Sequence, residues 1–164
     1  MSDQWSASLV QTAVAYLKER DGAVDESIGL IFAVLPQKEM ELVYKAVTMV
    51  EKAVVTRMVA SPSQRAFFQV TSTVCSRDSI DPNAISERKK VVNVCFEHFC
   101  TCYTFIHTTI KCPIAMCEHI IAVKLAEATK KVHVLQIRDT EYPALLLQEC
   151  VGESLPTNTT SDPM

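Results

Sequence analysis

The feature of the sequence with the clearest chemistry is a group of thiols and imidazoles in its second half. One residue separates Cys100 from Cys102, and after fourteen intervening residues Cys117 and His119 repeat that spacing. Three thiolates and one imidazole form a closed tetrahedral set of the Cys₃His kind for Zn²⁺. A closed set leaves no position for water, so such a metal is structural rather than catalytic. The sequence therefore predicts one structural zinc ion held by these four residues.

Other donors lie near enough in the sequence to compete for the ion: Cys95, His98, His107 and Cys112. Cys95 falls in an alternating apolar segment, which favours a place in the core, and Cys112 precedes a proline. The alternative to metal binding is a set of reduced thiols buried as small apolar groups. Nucleophilic catalysis by Cys100 with a histidine is disfavoured, because no orienting carboxamide, carboxylate or oxyanion element is discernible. We therefore expect no enzymatic activity.

Composition narrows the classes of protein further. The chain has 164 residues, 48% of them hydrophobic and 21% charged, which is typical of a globular protein with an ordinary core. Its seven cysteines are an odd number and no basic segment followed by an apolar core opens the chain, so we expect reduced thiols and no secretory signal. No apolar run approaches the roughly 20 residues that span a bilayer.

Charge and glycine content bear on the binding of phosphate. Sixteen basic and 19 acidic residues give a net charge of −3, which does not indicate a nucleic-acid-binding surface. Only three glycines occur, and the G-x-x-x-x-G-K-[ST] loop that cradles nucleotide phosphates is absent from the sequence. The chain is therefore not expected to be an ATPase.

The first third of the chain has helical periodicity. An apolar stripe over 5–19 begins at Trp5 and predicts a helix that Asp21 and Gly22 end. A short helix over 28–35 follows, with Asp25 or Ser27 as its N-cap. A third helix is predicted over 38–53, because Val43, Val47, Val50 and Val54 recur at spacings of four and three.

The pattern then changes to period 2, which predicts strands. The segments 54–60 and 65–74 flank a Ser-Pro-Ser turn and predict an antiparallel hairpin, and 89–96 predicts a third strand. The polar stretch 76–88 predicts a long loop. Helices are expected over 115–131 and 138–150, with Pro143 interrupting the second near its start.

These elements predict an α+β protein with N-terminal helices, a small antiparallel sheet and a zinc-stapled strand–loop–helix finger. We expect an N-terminal helical segment over 1–53 and a zinc-containing domain over 54–150. The finger spans about 91–131, and a disordered polar tail occupies 151–164.

The metal-ligand pattern resembles the SWIM zinc finger. That family has Cys-x-Cys, a variable spacer and Cys-x-His, often with alanine three residues on, and Ala122 stands at that place here. The turn Ser61-Pro62-Ser63-Gln64-Arg65 with the following Phe68-Gln69-Val70 resembles the hairpin before the zinc site in the small SWIM-domain subunits of Shu complexes. The resemblance covers roughly residues 54–150. Two departures are Tyr103, where SWIM fingers often carry proline, and the loop at 76–88, which is longer than this family leads us to expect.

The resemblance implies a role in homologous recombination and DNA repair. Such subunits are nuclear and non-enzymatic, and they pair with a RecA-like recombinase paralogue. The complex supports assembly of recombinase filaments on single-stranded DNA. By this resemblance, the chain is an adaptor that reaches DNA through its complex, with no membrane partner and no small-molecule substrate.

A second hypothesis is that the chain is a stand-alone SWIM module that binds nucleic acid by itself. Lysines 89, 90, 124, 130 and 131 and Arg88 could supply phosphate contacts, although solvated faces are the usual role of such residues. The apolar stripes of the N-terminal helices and the run Leu145-Leu146-Leu147 are either core or partner surfaces. DNA binding by the isolated chain with a steep salt dependence would favour the second hypothesis.

Overall fold

The structure, a computed structural model, describes residues 3–75, 88–109 and 116–148, with side chains over 8–72, 90–107 and 116–147. The predicted loop at 76–88 falls almost wholly outside these residues, as do the predicted tail, Cys112 and the side chain of Trp5. The described elements, in chain order, are α1 (Asp3–Glu19), α2 (Glu26–Ala33), α3 (Gln37–Glu51), β1 (Val55–Ser61), β2 (Ala66–Cys75), β3 (Arg88–Cys95), α4 (Tyr103–Thr109), α5 (Glu118–Ala128), β4 (His133–Arg138) and α6 (Tyr142–Gln148).

The strands form one mixed sheet in the order β3-β2-β1-β4. β1 pairs with β2 and β2 with β3 in antiparallel fashion, whereas β4 lies parallel to β1. The α+β class is therefore confirmed, and the antiparallel part of the sheet comprises the three strands that the sequence predicts. The fourth strand makes the sheet mixed.

Over residues 133–148 the structure differs in detail from the predicted elements. A helix was expected from Arg138, but Arg138 ends β4 and the helix α6 begins at Tyr142. Only Ile137 is buried among the six residues of β4, so this edge strand lacks the alternation of buried and exposed side chains that marks a strand in a sequence. Its pairing with β1, far away in the chain, fixes its conformation.

Helix α5 is the central element of the fold. It packs on α1 and α3 on one side and on β1, β2 and β3 on the other. Eight of its eleven residues are buried, as expected for a helix that is apolar nearly all round. The predicted helix over 115–131 is thus present in shorter form, ending where Lys130 takes a left-handed backbone conformation (φ 57°). The first turn of α5 carries His119, so its packing positions that side chain.

The N-terminal helices share one apolar core with α5. Helix α1 contributes Val10, Ala13, Val14 and Leu17, and α3 contributes Val43, Ala46 and Val50. Asp25 caps α2, because its Oδ1 accepts hydrogen bonds from the N–H groups of Ser27 (3.0 Å) and Ile28 (3.4 Å). Gly22, with φ of 84°, makes the turn between α1 and α2.

The face of the sheet opposite α5 is covered by α6. Met58, Ala60, Phe67, Val94 and Ile137 form a second core cluster there. Leu145 and Leu146 pack against it, while Leu147 is exposed. The first two leucines of the run therefore belong to a core contact within the chain. Within the described residues, no helix combines the length and the apolar character needed to cross a membrane.

Candidate metal centre

The Cys100–Cys102 pair is placed by a tight turn after β3. The N–H of Phe96 donates to the carbonyl of Phe99 (2.8 Å), and Cys95 and Cys100 form an antiparallel bridge. Thr101 then bonds back to Val94 twice: its N–H donates to the Val94 carbonyl (3.0 Å), and its hydroxyl accepts from the Val94 N–H (3.0 Å). Because alternate residues of an extended chain point to one side, both cysteines face away from Thr101 in the same direction.

Cys117 and His119 are placed by the start of α5. Cys117 is the N-cap residue, with extended backbone (φ −88°, ψ 166°), and its side chain makes no capping hydrogen bond. Its carbonyl accepts the hydrogen bond from the N–H of Ile121 (3.2 Å), which begins the helical ladder. The change from extended to helical backbone at this point lets two residues in a Cys-x-His spacing face one place.

The fold brings the four residues together. One donor atom from each of Cys100, Cys102, Cys117 and His119 lies within 4.8 Å of all the others, and all four residues are buried. In a tetrahedron with metal–sulfur bonds of about 2.3 Å, the sulfurs are about 3.8 Å apart. The cluster therefore needs only a small contraction, and it can bind one metal ion.

Electrostatics within the cluster favours a cation. Hydrogen bonds from the thiols of Cys100 and Cys117 lower the pKa of Cys102 well below its usual range, and the N–H of Phe105 donates to the same sulfur (3.3 Å). The pKa of Cys100 is raised by its bond to Cys102, and that of Cys117 by its bond to Cys100. Neighbouring thiols in a buried site cannot all carry negative charge. A divalent cation at their centre removes this conflict.

The ring of His119 provides an independent test of the fit to a metal. Its Nε2 lies 3.2 Å from Nδ2 of Asn93, whereas its buried Nδ1 has no hydrogen-bond partner within the described residues. A buried nitrogen without a partner costs free energy in a folded protein unless something else satisfies it. A metal ion bound by the three sulfurs would satisfy Nδ1, so the donor set fits a metal of the Cys₃His kind.

The competing donors are placed differently. Cys95 is buried with its Sγ 3.5 Å from that of Cys100, but it is not one of the four residues whose donor atoms are all mutually close. His98 is exposed beside Glu97, with Nε2 3.6 Å from a carboxylate oxygen. His107 is exposed and lies against the ring of Tyr103, with the ring centres 3.8 Å apart.

Two supporting residues were missed by the sequence analysis. Thr101 holds the Cys-x-Cys turn to β3, and Asn93 contacts the ring of His119. A signal for Asn93 was present, because it is a polar residue between Val91 and Cys95 on the strand face that turns towards the core. Thr101 gave no such signal, since a hydroxyl between two cysteines is compatible with many turns.

Comparison of the chain with protein-family models, with curated proteins and with solved structures finds no match in any of the three.

Proposed function

We propose that the cluster binds one Zn²⁺ as a structural ion. The observation that carries this is the mutual closeness of four buried donors, three of them sulfur. Thiolate-rich tetrahedral sites select zinc among the common divalent ions, since oxygen ligands are preferred by magnesium and calcium. Four protein ligands leave no coordination position for a substrate, which supports a role in folding and assembly rather than in catalysis.

The ion would join two parts of the fold that are distant in the sequence. Cys100 and Cys102 belong to the turn after β3, and Cys117 and His119 belong to the start of α5. Because α5 also packs on α1 and α3, an anchor at its first turn fixes the sheet relative to the N-terminal helices. Bound zinc therefore stabilises the arrangement of the described fold as a whole.

We further propose that the chain is a SWIM-type adaptor that pairs with a RecA-like recombinase paralogue in a Shu-like complex and promotes homologous recombination. The strand, turn and helix that carry the four donors support a finger of this type. So does the placement of Ala122, which is completely buried where α5 meets the rest of the core. In this proposal the metal site stabilises the surface that binds the partner. The partner carries out the nucleotide chemistry.

An adaptor needs apolar surface that its own core does not use, and α3 has such a surface. Met40, Tyr44 and Val47 recur at i, i+4 and i+7 and are 44%, 74% and 37% exposed. They lie about a quarter turn around the helix from its buried stripe. On α2, Leu30 is 70% exposed. We call Met40, Tyr44 and Val47 the α3 outer stripe.

A second candidate function is nucleic-acid binding by the chain alone. The observation in its favour is the pair of exposed aromatic side chains beside the cluster, Phe99 (46%) and Tyr103 (76%), because exposed rings can stack on unpaired bases. The net charge of −3 argues against it, since binding without a partner depends on many phosphate contacts.

The test is the native mass of the assembly purified from cells through a tag on the full chain. The adaptor function predicts a species heavier than the 18.2 kDa chain by one zinc ion and one RecA-like subunit. A Cys100→Ser variant should lose the zinc and the partner together. A zinc-loaded chain that stays alone and binds single-stranded DNA with a steep salt dependence would support the second candidate, and a metal-free chain would refute both.

A further inference from the structure

Asn93 occupies a place where a polar side chain is costly. It lies on β3 between Val91 and Cys95, opposite the buried Val70 of β2, and only 6% of it is exposed. Burying a carboxamide without hydrogen bonds costs free energy in proteins. The bonds that Asn93 makes therefore account for its presence at this position.

Those bonds connect the ring of His119 to the sheet. Nδ2 of Asn93 lies 3.2 Å from Nε2 of His119 and 3.3 Å from Oγ of Ser72 on β2. The Ser72 hydroxyl in turn lies 3.4 Å from the carbonyl of Val91. The ring is thus held from the sheet side through Nε2, and its Nδ1 is left for the metal.

The ring nitrogen of His119 that binds the metal determines which nitrogen carries the imidazole proton. A neutral imidazole carries one proton, and Nδ1 can bind a metal only if that proton sits on Nε2. Nε2–H then requires an acceptor, and the carboxamide of Asn93 is the group within reach. A half turn of this carboxamide about its last torsion exchanges Oδ1 for Nδ2, which turns the oxygen towards Nε2. The Ser72 hydroxyl, whose one proton is donated to the carbonyl of Val91 in the structure, then turns to donate to this oxygen instead.

We propose that Asn93 is a positioning residue for the metal centre: its carboxamide oxygen accepts a hydrogen bond from Nε2–H of His119 and so holds the tautomer in which Nδ1 binds the metal. The inference rests on the proposed zinc site and extends it to the sheet. Metal-bound histidines usually donate their second ring N–H to a fixed acceptor, and loss of that acceptor typically costs 10–100-fold in metal affinity.

The test compares Asn93→Leu, which keeps the approximate size but removes the acceptor, with Asn93→Asp, which restores an acceptor. Zinc affinity of the full chain is measured by competition with a chromophoric chelator. We expect Asn93→Leu to weaken zinc binding about 10–100-fold and Asn93→Asp to stay near the wild type. Val70→Ala is the packing control: it opens a cavity opposite Asn93, so it should lower the melting temperature with little effect on zinc affinity.

A second readout follows the tautomer itself. In ¹⁵N–¹H spectra of the zinc-loaded wild type, His119 should show metal-bound Nδ1 and a slowly exchanging Nε2 proton, and Asn93→Leu should lose that slow exchange. Unchanged affinity in Asn93→Leu, or a spectrum with Nε2 bound to zinc, would overturn the inference while leaving the zinc site intact. Failure of the wild type to bind zinc at all would overturn the site and the inference together.

Discussion

Cys95 and Cys100 face each other across the turn after β3, with their Sγ atoms 3.5 Å apart. Both are completely buried, yet only Cys100 belongs to the group of four mutually close donors. Cys95 therefore stands beside the candidate ligand Cys100, where its thiol can donate a weak hydrogen bond to that sulfur.

This difference in placement predicts different metal contents for two matched variants. Cys95→Ser keeps a donor beside Cys100 and all four candidate ligands, so the purified protein should retain one zinc ion per chain. Cys100→Ser removes a ligand and should lose the zinc. The zinc-to-protein ratio of both purified variants is measured by inductively coupled plasma mass spectrometry. Loss of zinc in Cys95→Ser with retention in Cys100→Ser would mean that Cys95 is the ligand.

Removal of the metal should unfold the finger. Structural zinc contributes apparent binding free energies of about 10–16 kcal/mol in small fingers, which is comparable to the whole stability of a domain. We expect a strong chelator, Cys100→Ala or His119→Ala to abolish protection from hydrogen exchange over about 91–128. Amide exchange followed by mass spectrometry measures this segment by segment. An unchanged melting temperature with retained zinc in the two variants would contradict the ligand assignment.

Gly22 and Gly29 should respond in opposite ways to substitution by alanine. At Gly22, φ is 84° and a Cβ would lie 2.9 Å from Cα of Thr129, just after α5, so Gly22→Ala forces backbone to move. At Gly29, inside α2, a Cβ meets nothing within 4 Å. We expect Gly22→Ala to destabilise the fold by about 1–3 kcal/mol and Gly29→Ala to stabilise it by about 0.5–1 kcal/mol. Urea unfolding gives the change in the free energy of unfolding for each variant. Equal changes would refute the close contact between Gly22 and Thr129.

Several elements could be predicted because their signals are local. Asp25 and Ser27 are both N-cap residue types, the Ser-Pro-Ser turn separates two alternating segments, and the Cys-x-Cys and Cys-x-His spacings each define a place where the backbone turns. The structure puts the cap at Asp25, pairs the two segments and brings the four donors together.

The features that could not be predicted from the sequence depend on contacts between residues far apart in the chain. β4 is a strand because it pairs with β1, more than seventy residues earlier. Helix α4 (Tyr103–Thr109) was not predicted, because its segment has no clear periodicity in the sequence. The role of Asn93 appears only when α5 brings His119 over β3, since the two residues are 26 positions apart in the sequence. Such interactions leave no short-range pattern in a sequence.

The contribution of Asp25 to stability should depend on pH. Its pKa is lowered, chiefly because the Tyr16 hydroxyl donates to its carboxylate, with help from the N–H groups of Ile28 and Ser27 and from Arg20. A carboxyl whose pKa is lower in the folded state stabilises the protein above its unfolded pKa, near 3.8, and this stabilisation is lost as the pH falls through the folded value. Asp25→Asn keeps an oxygen that can cap the helix, but it removes the titratable group together with the acceptor of the Tyr16 and Arg20 bonds.

We therefore expect wild type to be more stable than Asp25→Asn at pH 7, with the difference shrinking below about pH 4. Urea unfolding of both proteins at each pH gives the difference between their free energies of unfolding. Acid effects on the candidate metal centre are common to both proteins and cancel in this difference. A matched variant, Tyr16→Phe, should raise the pKa of Asp25 towards its usual value. A difference between wild type and Asp25→Asn that does not change with pH would show that the charge contributes nothing.

The α3 outer stripe should matter for assembly and not for folding. Substituting Met40 and Tyr44 together by serine removes exposed apolar side chains and leaves the buried Val43 and Ala46 untouched. We expect this double variant to keep its zinc and its melting temperature within a few degrees, because exposed substitutions usually change stability by less than about 0.5 kcal/mol. If α3 binds the proposed RecA-like partner, co-purification of that partner should fall sharply. Val24→Ser, which changes an equally exposed apolar residue outside α3, is the control, and a normal yield of partner with the double variant would exclude α3 as the binding surface.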